Sequence, residues 1–155
     1  MLVCLLACGG CLGKDGAVSV RWRIAERETG NLDDPRDVAD DTGVCCQAHD
    51  AGRCAGQPGW RITRVKVIIS DPDTLVPEPD APTSGLDAPC GARELTTPFD
   101  IKEGLFAITL RAFDPAIDPS ASGYIEAESP SPEIRTVRKA EIVNLDIVEL
   151  SVSTQ

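Results

Sequence analysis

The chain has 155 residues, about the length of one domain, and its 42% hydrophobic content is enough to bury a core. Aromatic residues make up only 4%, so we expect a core built mainly from Val, Ile, Leu and Ala. The formal net charge of −10 argues against nucleic acid or anionic lipid headgroups as ligands, because both require a basic surface.

The N-terminal segment ends its short apolar run with Leu5-Leu6-Ala7-Cys8, a small residue followed by a cysteine. This pattern resembles the lipobox of bacterial lipoproteins, where a signal peptide is cut and lipid is attached to the new terminal cysteine. The resemblance implies lipidation of Cys8, a signal and short tether over residues 1–13, and a mature domain over 14–155. It also implies export and attachment to a membrane through the lipid. Gly9 after the cysteine favours the outer membrane, with the periplasm or the cell surface as the compartment.

Beyond residue 13, apolar and polar residues alternate with a period of two, which is typical of half-buried strands. A phase change near Arg64 predicts a bulge. One or two helical turns are expected after Asp34-Pro35, because Asp can cap a helix and Pro suits its first position. The seven predicted strands, in chain order, are Ala17–Ile24, Trp60–Ile69, Thr97–Ile101, Gly104–Phe113, Tyr124–Ala127, Ile134–Val137 and Ala140–Val152.

Seven strands joined by Gly- and Pro-rich turns predict an all-β fold, a seven-strand antiparallel β-sandwich, which the resemblance described below identifies as immunoglobulin-like. Two connections are long, Asn31–Pro58 and Asp71–Pro98. Loops of this length inside a compact domain are usually functional or disordered. We expect both to be ordered without regular structure, because cysteines in them can form disulfides.

The segment Pro98–Ala112 contains an apolar-x-apolar pair, a Gly turn and a long alternating strand. It resembles immunoglobulin-like and transthyretin-like domains of bacterial surface proteins. The resemblance implies a sandwich with an adhesive or accessory role, and it carries over no catalytic residue.

Seven cysteines in 155 residues is a high content. With Cys8 lipidated, four cysteines fall inside the domain, and an even set in an exported chain predicts two disulfides. Adjacent cysteines bond to each other only with strained geometry, which leaves one short bridge to Cys54 and one long bridge to Cys90. A zinc site is the alternative, although a vicinal pair fits zinc spacing poorly. The four domain cysteines are Cys45, Cys46, Cys54 and Cys90.

The segment Cys45-Cys46-Gln47-Ala48-His49-Asp50 is similar to the Cys-Cys-x-x-His-Asp motif of secretory phospholipases. The resemblance implies that His49 would activate a water and that Asp50 would help to hold a calcium ion. Glycines at 52, 56 and 59 would interrupt the long helix that carries the motif in that family. A calcium-dependent hydrolase is therefore the alternative function.

An acidic run could also ligate calcium, but it lacks the alternate spacing and terminal Glu of an EF-hand loop. A solvated loop is the simpler interpretation. We therefore expect a non-enzymatic interaction or structural module with no cofactor, bound to the membrane through its lipid and taking a protein or glycan ligand. The sequence does not indicate the oligomeric state. The acidic residues of the run are Asp33, Asp34, Asp37, Asp40 and Asp41.

Overall fold

The computed structural model describes residues 15–26, 37–39, 45–47, 61–79, 85–120 and 125–154. Within these ranges the protein is all-β, as the alternating patterns predict, with eleven strands and one turn of 3-10 helix. The strands are β1 (Ala17–Glu26), β2 (Asp37–Ala39), β3 (Cys45–Gln47), β4 (Arg61–Ile62), β5 (Arg64–Ser70), β6 (Asp87–Pro89), β7 (Glu94–Thr96), β8 (Gly104–Phe113), β9 (Ile125–Glu128), β10 (Glu133–Val137) and β11 (Ile142–Thr154); the 3-10 turn covers Cys90–Ala92.

Eight strands form the main sheet in the order β6-β5-β8-β9-β11-β1-β7, with β10 also paired to β8. The remaining described strands form a small sheet in the order β2-β3-β4. The sheet is mixed rather than antiparallel throughout, because β1 and β11 run parallel along most of their length. This pairing brings the beginning and the end of the described chain side by side.

Strand β8 lies at the centre of one half of the main sheet. One of its edges pairs with β5, and the other is shared by β10 near Gly104 and by β9 near Phe113. The sequence Ser129-Pro130-Ser131-Pro132 separates β9 from β10. Proline cannot donate a backbone hydrogen bond, so an interruption of the ladder is expected at this point.

The inner faces of both halves of the main sheet meet in one hydrophobic core. Alternate residues of β1, β5 and β8 supply half of it, as the period-two patterns predict. Cys45 and Ile62 of the small sheet join the same core, so the two sheets pack as one body. The largest fully buried side chains include Trp22, Leu110 and Leu150.

The predicted strands beginning at Ala17, Gly104 and Ile134 are confirmed within two residues at each end. The predicted strand Trp60–Ile69 is divided at Thr63 into β4 and β5, close to the irregularity expected near Arg64. The predicted strand Thr97–Ile101 is wrong. The strand in that region is β7, and Ile101 makes only an isolated bridge to Gly16.

Both long connections contain more regular structure than expected. Strands β2 and β3 lie within the first connection, so the helical turn predicted after Asp34-Pro35 is wrong over residues 37–39. Strands β6 and β7 and the 3-10 turn lie within the second. Each of these elements has only three residues, which is too short for a periodic pattern to stand out.

Candidate functional site

Most residues singled out in the sequence lie outside the described ranges. The backbones of Asp37 and Cys46 belong to β2 and β3, but their side chains lie outside that description. The short bridge expected between the vicinal pair and Cys54 therefore stays a prediction, as do lipidation and calcium binding. The residues outside the described ranges are Cys8, Asp33, Asp34, Asp40, Asp41, His49, Asp50 and Cys54.

The structure forms the long disulfide. Cys45 of β3 bonds to Cys90 at the start of the 3-10 turn, with their Cα atoms 5.6 Å apart. This agrees with the predicted bridge from the vicinal pair to Cys90, and it identifies Cys45 as the partner. Both cysteines are fully buried, which indicates a structural bridge rather than a reactive thiol pair.

A surface groove of about 210 Å³ lies where β10 and β11 diverge. Strand β11 pairs with β9 only from Ser151 to Thr154. Towards its N-terminal end, no ladder joins β11 to β10 in the part of the chain that the structure describes. The groove is lined by Pro130, Ser131, Glu133, Arg135, Leu145, Asp146, Ile147, Val148 and Glu149.

One wall of the groove is the free edge of β10. Ser129 N–H donates to the Leu110 carbonyl at 3.1 Å, and Leu110 N–H donates to Ser129 Oγ at 3.2 Å, so Leu110 faces this edge of β8. The direction of the backbone N–H and C=O groups alternates along a strand, so residues 106 and 108 also point these groups at β10. Their register partners there are Arg135 and Glu133. Residues 134 and 136 must then direct their backbone groups away from β8, towards the groove.

A side-chain contact supports this assignment of the edge. Arg135 Nη1 donates a hydrogen bond of 3.1 Å to the carbonyl of Ile134. That carbonyl is therefore accessible to a donor, and the Arg135 that reaches it is itself part of the groove lining. The Thr136 side chain is exposed, as expected for a residue next to an unpaired edge.

The opposite wall is the edge of β11 that faces away from β1. Trp22 N–H donates to the Arg93 carbonyl on the other side of β1, so its neighbours Arg21 and Arg23 face β11. The register partners of Arg21 and Arg23 are Ile147 and Glu149. In a parallel pair, the backbone bonds go not to these partners but to the residues on either side of them. Ile147 and Glu149 thus present their own backbone groups to the groove.

The pairing of β11 with β1 contains a register shift along this wall of the groove. Two steps along β1, from Ser19 to Arg21, correspond to three steps along β11, from Asn144 to Ile147. The extra residue forms a β-bulge. Before it the buried side chain of β11 is at an odd-numbered position, Leu145, and after it the buried side chains are at even-numbered positions, beginning with Leu150. Bulges often lie at sheet edges and beside functional sites, where they redirect side chains.

The charge in the groove is predominantly negative. Glu133 Oε2 is 2.8 Å from Arg135 Nη2, so this carboxylate is balanced by its neighbour. Asp146 and Glu149 add two further carboxylates to the lining. Among the described residues, no basic side chain forms an ion pair with either of these two.

This groove was not predicted from the sequence. The available signal was Pro130 and Pro132 between two strands, followed by a long strand that outlasts its neighbour. Prolines mark a ladder interruption, but they do not indicate which strand diverges from which. The groove depends on the pairing of β11 with β1, which local patterns do not encode.

The described ranges contain no cluster of His, Cys, Asp or Glu side chains suited to holding a metal ion. Within the same ranges, no helix has the length and apolar content needed to cross a bilayer. Comparison with protein-family models, curated proteins and solved structures gives no match for this chain.

Proposed function

We propose that this protein is an exported, lipid-anchored module of the bacterial cell envelope that binds a protein ligand and catalyses no reaction. The observation that carries the binding function is the groove between β10 and β11, because no ladder between described strands uses the backbone edges that form its walls. The buried Cys45–Cys90 disulfide supports export, since such bridges persist in oxidising compartments. The resemblance of Leu5-Leu6-Ala7-Cys8 to a lipobox supports an anchor at Cys8, in the outer membrane or facing the periplasm.

We further propose that the fold belongs to the immunoglobulin-like or transthyretin-like sandwiches. Trp22 is buried in the core beside the disulfide, and its Nε1 donates to the Cys90 carbonyl. A buried tryptophan next to an inter-sheet disulfide is also a hallmark of antibody domains. An experimental structure in which the half of the main sheet around β8 does not pack face to face against the half around β1 would contradict this assignment.

The anchor is tested by metabolic labelling with a fatty acid in a bacterial host. The full chain with an added upstream basic segment should incorporate label, and Cys8→Ser should abolish it. Cys11→Ser is the matched control, because it removes a nearby cysteine outside the lipobox, and it should retain label. Equal labelling of Cys8→Ser and the unchanged chain would remove the lipid anchor from the proposal.

The alternative is a calcium-dependent hydrolase with His49 as base and Asp50 as calcium ligand. The motif that favours it begins in β3, a strand, whereas the phospholipase resemblance requires a helix. Ester hydrolysis with short-chain phospholipid should therefore be absent, with and without calcium. Calcium-dependent hydrolysis that is lost on His49→Ala would establish the alternative and overturn the non-enzymatic function.

A further inference from the structure

We propose that the groove binds an extended, basic segment of a partner protein, which adds as a strand between β10 and β11. This inference rests on the proposed interaction function and specifies the chemistry of the partner. Strand addition is a common mode of peptide recognition, in which backbone hydrogen bonds supply affinity and side-chain pockets supply specificity. The groove offers both kinds of contact.

The backbone contacts come from the two free edges. On β10, residue 134 lies between the lining residues Glu133 and Arg135 and points its N–H and C=O away from β8, and residue 136 continues the same edge. On β11, residues 147 and 149 line the groove and point their backbone groups away from β1. Alternate residues of a strand present these groups at a spacing that an extended chain matches. A bound segment of about three to five residues would span the length of these walls.

The side-chain contacts favour an alternating sequence. Leu145 is buried and Val148 half-buried in the lining, so they form an apolar floor for every second side chain of the segment. Asp146 is exposed and Glu149 half-buried, and both can meet the intervening side chains. The exposed fractions of Ile134 and Ile147 are 44% and 53%, so strand addition would also cover apolar surface that is now in water.

Charge complementarity identifies the partner as basic. The lining carries Glu133, Asp146 and Glu149 against one guanidinium, and that guanidinium is already paired to Glu133. A second copy of this chain is disfavoured as the occupant, because each copy carries a formal net charge of −10. Opposite potentials across an interface accelerate association and exclude like-charged partners.

The probe is an eight-residue peptide of alternating Val and Lys with capped ends and a fluorescent label, titrated with the full chain in solution. We expect saturable binding that weakens as salt increases, because exposed charges are screened. A Val–Glu peptide of equal length should not bind. A Val–Lys peptide with alternate amides N-methylated should also fail, because methylation removes the hydrogen-bond donors on one edge.

The protein variant is Thr136→Pro, matched by Thr136→Ala. The Thr136 N–H points away from β8, on the edge of β10 whose residues Glu133 and Arg135 line the groove, so proline removes a donor from this edge and leaves the ladder to β8 in place. Thr136→Pro should weaken Val–Lys binding by about tenfold or more, the equivalent of one lost hydrogen bond plus a steric block. Thr136→Ala should change it by less than about twofold.

A second variant avoids any effect of proline on folding. The double substitution Asp146→Asn and Glu149→Gln should weaken binding and flatten its salt dependence, whereas Asp100→Asn and Glu103→Gln, outside the groove lining, should do neither. Equal binding of the methylated and unmethylated peptides would overturn the proposal. So would binding that is insensitive to Thr136→Pro, Asp146→Asn and Glu149→Gln, or a dimer in sedimentation that Thr136→Pro disrupts. These measurements do not depend on Cys8, so their failure is distinguishable from failure of the lipid anchor.

Discussion

The indole Nε1 of Trp22 donates a hydrogen bond of 3.0 Å to the backbone carbonyl of Cys90. Trp22 belongs to β1 of the main sheet, and Cys90 is bonded to Cys45 in the small sheet. The same carbonyl also accepts from Arg93 N–H at 3.3 Å, which closes the 3-10 turn. One carbonyl therefore links the core tryptophan, the turn and the disulfide that joins the two sheets.

Replacing Trp22 by Phe should lower the free energy of unfolding by about 1–3 kcal/mol. The substitution removes the indole donor and part of the buried ring, but it keeps an aromatic side chain in the core. Trp22→Ala should cost about 3–5 kcal/mol, because it leaves a cavity at a side chain that is only 2% exposed. Urea denaturation measures both, and an unchanged midpoint for Trp22→Phe would show that the bond contributes nothing.

The Cys45–Cys90 disulfide should stabilise the fold mainly by restricting the unfolded chain. Its two cysteines are 45 residues apart, and chain-entropy models assign such a loop about 4 kcal/mol. The double substitution Cys45→Ala and Cys90→Ala should lower the unfolding free energy by about that amount. Non-reducing peptide mapping should recover a fragment joining the two residues. A fragment joining Cys46 to Cys90 would contradict this pairing.

Gly16 lies where the chain enters β1, and its close contacts leave no space for a side chain. An added Cβ would fall 2.5 Å from the backbone oxygen of Arg138 and closer still to Cγ1 of Val137. Because a backbone atom cannot rotate away, Gly16→Ala should destabilise the fold by about 1–3 kcal/mol. Gly104→Ala is the control. Its added Cβ would meet mainly the end of the Phe106 ring, at 3.0 Å, and thermal unfolding should change far less.

Asp71 closes an exposed turn and should titrate below the ordinary range of an aspartate. Backbone N–H of Thr74 and then its hydroxyl, which donate to Asp71 Oδ1 at 2.8 and 2.9 Å, hold the pKa of this carboxyl down. A carboxyl whose folded pKa is lowered contributes stability above its unfolded pKa, and that contribution disappears as pH falls through the folded pKa.

Thr74→Ala removes the hydroxyl but keeps the backbone donor, so the Asp71 pKa should rise part of the way towards 3.8. A pH titration followed by NMR of the carboxyl carbons measures this directly. Asp118 is the internal control, because the hydroxyl and the N–H of Ser120 lower its pKa independently of Thr74. A shift of both residues in Thr74→Ala would mean that the effect is not local.

The strands that could be predicted are those with a long, clean alternation. Strand β8 was predicted with its observed bounds, Gly104–Phe113, because it is a long apolar run, and its burial alternates from Ile108 to Phe113. Strand β11 was predicted in place, but its bulge was not. Its sequence alternates apolar residues on both faces, so the period of two does not show where the buried phase changes.

The missed strands are short and depend on distant partners. Thr97 was assigned to a strand, but it lies just after β7 and bonds to Val18 of β1. Its N–H donates to the Val18 carbonyl, and its Oγ1 accepts from Val18 N–H at 3.0 Å. The next residue, Pro98, cannot extend a ladder. A three-residue element of this kind is held by contacts about eighty residues away in sequence, which no local pattern contains.

The sequence by itself determined that the described part of the chain is all-β, which face of β1 is buried, and that a vicinal cysteine is joined to Cys90, because burial alternation and cysteine spacing are local and countable. Only the tertiary structure decided that Cys45 is the partner, that β1 and β11 run parallel, and that β10 and β11 separate to leave a groove. Strand neighbours and their direction are set by contacts between distant segments packing around a shared core. Alternation states which face of a strand is buried, but not which strand lies beside it.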